Sequence, residues 1–121
     1  SQGLPQLEIL NLPHCRLTAA GVARLKELPR LKQLRLGGRT IDDDALNEIA
    51  QLSELRSLHL IGPNLTDDGL AALQACPRLS SLYVDDCPLG DEAWMRLFAA
   101  MPNLHVHLDQ RHHDRDPRGD H

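Results

Sequence analysis

Residues 31–37 read Leu31-Lys32-Gln33-Leu34-Arg35-Leu36-Gly37, and the same apolar frame returns in Leu55-Arg56-Ser57-Leu58-His59-Leu60-Ile61 and in Leu79-Ser80-Ser81-Leu82-Tyr83-Val84-Asp85. An earlier copy, Leu7-Glu8-Ile9-Leu10-Asn11-Leu12-Pro13, completes a series spaced by 24 residues. Three further columns keep step: Leu17, Ile41, Leu65 and Leu89; Val22, Leu46, Leu70 and Trp94; Leu25, Ile49, Leu73 and Leu97. Six apolar columns in register over four units mark an internal repeat. A period of about 20–29 residues belongs to stacked units, each too small to bury its apolar side without a neighbour.

Each unit changes periodicity half-way. Leu10 with Leu12, and Leu34 with Leu36, alternate as a strand with one buried face, whereas Val22, Leu25 and Leu28 form one stripe of a helix. Helix starts are expected at Thr18, Asp42, Thr66 and Asp91, whose side-chain oxygens can accept from unpaired first-turn N–H groups. Asp43, Asp67, Asp68 and Glu92 follow where the helix dipole favours negative charge. Helix ends are expected at Pro29, Ser53, Pro77 and Pro102. Pro102 and Leu104 arrive one residue late, yet Val106 and Leu108 return to register, so an extra residue is absorbed near the end of the fourth helix. Trp94 falls in a core column; Phe98 lies off that stripe.

Strand, turn and helix in this order resemble a leucine-rich repeat protein of the ribonuclease-inhibitor-like, cysteine-containing subclass found in F-box-associated repeats. The likeness is carried by Leu7-x-x-Leu10-x-Leu12-x-x-Cys15-x-Leu17-Thr18-x-x-Gly21-Val22 and by Leu79-x-x-Leu82-x-Val84-x-x-Cys87-x-Leu89, and it spans roughly residues 4–108. Arg39 and Pro63 replace cysteine in the middle units. The resemblance implies an α/β leucine-rich repeat solenoid, a short right-handed horseshoe arc with a parallel β-sheet on the concave face and α-helices on the convex face. It also implies a scaffold that binds other proteins through that concave face. Residues 1–108 then form the repeat domain, four units and a closing strand, and 109–121 a polar tail rich in His, Asp and Arg. A stack must cover its last apolar edge, so the tail lies back over it or leaves it to another molecule. At the other end Leu4 and Leu7 begin on a strand with no preceding cap, which predicts an upstream segment, a partner or edge-mediated self-association.

If the leucines of each strand point inward, the alternate residues form rows on the opposite face. The central row is Asn11, Arg35, His59, Tyr83 and His107; the rows beside it are Ile9, Gln33, Ser57, Ser81 and His105, and Pro13, Gly37, Ile61, Asp85 and Asp109. Asn11, Arg35, His59, Tyr83, Asp85 and His107 are the expected partner-binding residues, Tyr and Arg being types enriched at interface hot spots. A second reading takes His105, His107 and Asp109 together with His112 and His113 of the tail as a zinc site, because imidazoles and carboxylates suit a borderline metal.

Other classes are disfavoured. A formal charge of −4 and only three aromatic residues, Tyr83, Trp94 and Phe98, offer neither the basic face nor the stacking rings of a nucleic-acid binder. No apolar run approaches the ~20 residues that cross a bilayer, so no membrane association is expected and the default location is cytoplasmic. Cys15, Cys76 and Cys87 are an odd number in a chain with ample apolar residues, which favours reduced thiols; Cys15 and Cys87 read as small buried fillers. No nucleophile elbow, His-Glu-x-x-His or phosphate-cradling glycine loop is present, so the expectation is a non-enzyme. In a longer protein such repeats would suit the substrate-receptor arm of a ubiquitin ligase. Arg118-Gly119-Asp120 repeats an integrin-ligand tripeptide and is read as coincidence.

Overall fold

Alternation of leucines with polar residues produces strands, and the 24-residue spacing aligns them. The computed structural model describes residues 6–14, 16–109 and, for the backbone alone, 111–112. In chain order it contains β1 (Ile9–Leu12), α1 (Ala19–Ala23), β2 (Gln33–Gly37), α2 (Asp43–Ile49), β3 (Ser57–Ile61), α3 (Asp67–Ala71), β4 (Ser81–Asp85), α4 (Asp91–Ala100), β5 (His105–Leu108) and β6 (Arg111–His112). The sheet order is sequential from β1 to β6; β1 to β5 are parallel, and β6 returns antiparallel on β5. Leu10, Leu34, Leu58, Leu82 and Val106 are direct partners across five strands. The helices pack in sequence, α1 on α2, α2 on α3 and α3 on α4.

The leucines and the helix stripes share one core. Leu34, Leu36, Leu58, Leu60, Leu82 and Val84 are at most 2% exposed, as are Val22, Leu46, Leu70 and Trp94 from the helices. Phe98 joins them at 5% exposure. Backbone amides repeat the period as well: Gln33 N–H donates to Glu8 C=O, Ser57 N–H to Lys32 C=O and Ser81 N–H to Arg56 C=O, each at 3.0 Å.

The helical halves differ from the uniform helix expected. After α1 and α3 the chain tightens into 3₁₀ turns at Arg24–Glu27 and Ala72–Ala75. In these units the apolar residues sit three apart, Val22, Leu25 and Leu28 or Leu70, Leu73 and Cys76, with polar Lys26 and Gln74 at the fourth position. Three-residue spacing is the 3₁₀ repeat, which eclipses such side chains on one face. In α2 and α4 the fourth position is buried Ala50 or Phe98, and the α-helix stays intact. The extra residue near the end of the fourth helix lies in α4, whose ten residues span ~15 Å against ~15.5 Å for the five α and four 3₁₀ residues of the preceding unit; α2, seven residues long, keeps the period without one.

The helix starts also differ in part. Asp42 caps as expected, its Oδ1 accepting from Ala45 N–H at 3.0 Å. Thr18 and Thr66 occupy cap positions without a side-chain cap bond, and Gly90, not Asp91, precedes α4. Thr66 is instead tied to the previous unit: its N–H donates to Asp43 Oδ1 at 2.9 Å and its hydroxyl to Asp43 Oδ2. Gly69 leaves room for that carboxylate, which a Cβ would strike.

Candidate binding face

The face of the sheet opposite the helices carries the three expected rows. Pairing sets Asn11, Arg35, His59, Tyr83 and His107 side by side in register, and Ile9, Gln33, Ser57, Ser81 and His105 in the next row. Gly37, Ile61 and Asp85 form the third. Neighbouring parallel strands are ~4.8 Å apart, so side chains of successive units touch.

From β3 to β5 these side chains bind one another. His59 Nε2 donates to Asp85 Oδ2 at 2.9 Å, with both side chains about one-fifth exposed. Tyr83 stands between two imidazoles: its ring stacks on His107 at 4.6 Å and 13°, and meets His59 at 5.6 Å and 41°. Such pairs contribute about 0.5–1.5 kcal/mol beyond their buried area. Tyr83 remains 36% exposed.

The β1–β2 side is different. Arg35 Nε is buried without an acceptor, one of two buried side-chain N or O atoms so placed among the described residues, the other being the Thr40 hydroxyl. Leaving a buried donor unpaired costs about 1–3 kcal/mol. Arg35 borders two depressions. One, of about 330 Å³, reaches from Ile9 and Asn11 across Ser57 to Tyr83 and Asp85. The other, of about 530 Å³, is bordered by Pro13, His14, Arg16 and Gly37. Ile9, 58% exposed, supplies the most open large apolar side chain at this end.

The turn after each strand sets where the face ends. Gly38, Gly62 and Asp86, spaced by 24, have φ of 107°, 62° and 59°, a left-handed conformation that glycine adopts without a Cβ penalty. Gly38 N–H donates to Ile61 C=O and Gly62 N–H to Asp85 C=O, at 2.9 and 2.8 Å. At Asp86 the residue in step is Asp109, and its side chain takes the place of the backbone carbonyl, Oδ1 accepting the N–H at 2.8 Å. Asp109 itself has φ of 51°.

That arrangement bears on the zinc reading. Asp109 closes the sheet end, His107 lies against Tyr83, and His105 belongs to the adjoining row on the same strand. No group of three His, Cys, Asp or Glu among the described residues is placed to hold a metal ion. His113 and the side chain of His112 lie outside the described residues. The backbone of 111–112 does turn back on β5, His107 pairing with His112 and Leu108 with Arg111, so the sheet continues past the boundary expected at residue 108.

The thiols are arranged differently from the expectation. The fully buried one is Cys76, at the end of the third helical segment, 3.9 Å from Leu52 C=O. Desolvation pushes its pKa up to about 11. Cys87 is only half-buried, and desolvation raises its pKa too. Cys15 lies outside the described residues.

Sequence reasoning singled out the central row and Asp85 but passed over Ile9, Gln33 and Ser57 as site residues, although all three border the first depression. Their common offset of two positions before the central row was the available signal. The glycine pair at 38 and 62 was equally visible in the spacing. No protein-family model matches the chain, and no curated protein matches it significantly. No helix among the described residues is long and apolar enough to cross a membrane.

Proposed function

We propose that this chain is a short leucine-rich repeat solenoid acting as a non-enzymatic binding module, and that its open sheet face docks another protein in the cytoplasm. The observation that carries this reading is the contrast between an invariant backbone and a varied row. Asn11, Arg35, His59, Tyr83 and His107 sit in register on one parallel sheet, yet all but the two histidines differ in chemistry. A rigid sheet loses little entropy on docking, so affinity can come from a few side chains. Tyr83 and Arg35 are of the types that dominate interface energetics.

The test is capture of partners on the immobilised 121-residue chain. The double variant Tyr83→Ala plus Arg35→Glu should lose the bound protein, while Arg96→Ala on the helical side retains it. Capture indifferent to the double variant would remove the open face from the function.

A further inference from the structure

We propose that the open face receives an acidic segment of its partner, with an Asp or Glu side chain pairing to Arg35; this rests on the protein-binding reading above. Among the described residues of the three rows, Arg35 is the one Arg or Lys. Several cations off these rows meet carboxylates: Lys26 meets Glu48, Lys32 meets Glu8, and Arg78 meets Glu54. Arg35 has no such carboxylate among the described residues; its Nε is closed to solvent, so an incoming acid is left the two Nη groups at the end of the side chain. The carboxylate bordering the same depression, Asp85, is held by His59 and stands two strands away, ~10 Å by strand spacing.

The space around Arg35 suits such a ligand. A depression of about 330 Å³ opens on one side and one of about 530 Å³ on the other. Arg16 borders the second depression together with Arg35, so an extended segment lying there can approach both guanidiniums. A guanidinium fork presents two parallel N–H groups to the two oxygens of a carboxylate. Exposed Ile9, bordering the first depression with Arg35, offers contact to an apolar residue next to the acid. The net charge of −4 opposes an acidic partner at long range. Recognition is therefore short-ranged and not steered by the overall field.

The experiment selects random peptides, displayed by fusion at their C-terminal ends, on the immobilised full chain, and then measures the selected peptides by fluorescence anisotropy. The expected sequences carry Asp or Glu beside an apolar residue. Arg35→Met should weaken their binding about tenfold or more, in line with the loss of a charge-assisted hydrogen bond. Replacing the peptide's acid by its amide should do the same, which keeps the test independent of how the variant folds. Arg35→Glu should shift preference to Lys- or Arg-bearing peptides. Selected peptides without an acid, binding unmoved by both the amide and Arg35→Met, or no enrichment at all would overturn the proposal. Acid-free peptides that lose binding with Tyr83→Ala would leave the open face standing as a docking surface. Peptides indifferent to both Tyr83→Ala and Arg35→Met would overturn that reading as well.

Discussion

The two faces of one sheet obey different rules. Toward the helices, each strand contributes the same kind of residue at the same place, and Leu34, Leu58 and Leu82 are each at most 2% exposed. Away from them, the neighbours one position along are Arg35, His59 and Tyr83, three different chemistries on the same backbone. The covered face is repetitive because every unit must fill the same gap between sheet and helix. The open face has no such gap to fill, and its residues are free to differ. If the open face binds as proposed above, stability and recognition are separated by a single step along the chain, and adjacent substitutions should differ in how much stability they cost.

Leu58→Ala should show the largest effect, a loss of about 2–5 kcal/mol in equilibrium urea unfolding, because its side chain is fully buried among neighbouring units. A loss under about 1 kcal/mol would mean that the stack is looser than described. Next comes Cys76, also on the covered side. Its thiol ionises near 9 when unfolded and near 11 when folded, so the unfolded chain releases its proton first. The contribution is complete below pH 9 and falls away as pH rises to about 11, by no more than about 3 kcal/mol. Cys76→Ala should flatten that alkaline limb, and an unchanged limb would assign it to other groups. The smallest stability effect of the three belongs to the open face: His59→Ala, adjacent to Leu58, gives up the Asp85 bond and a Tyr83 ring contact. Both partners are near water, so about 1 kcal/mol is expected. A cost approaching that of Leu58→Ala would erase the distinction between the faces.

The same division explains what could be read from the chain without its structure. Strand positions, helix positions and the membership of Trp94 in the core follow from apolar columns, since burial imposes a period that survives in the sequence. The 3₁₀ segments were less visible, although the spacing of Val22, Leu25 and Leu28 contains them. The open rows could be assigned by offset, but not the contacts within them. His59 reaches Asp85 across 26 residues, and whether Arg35 finds an acceptor depends on side-chain reach that no period encodes. The carboxylate of Asp109 could be assigned to a metal or to a turn with equal ease; only the position of Asp86 N–H decides what it holds in the described residues.

The most direct test of this separation is the urea unfolding of Arg35→Met, which keeps the apolar stem of the side chain and removes its charge. Arg35 has a buried donor without an acceptor, so the variant should be as stable as the wild type or somewhat more stable. A loss of more than about 2 kcal/mol would show that Arg35 holds the fold together, and that the open face is not reserved for a partner.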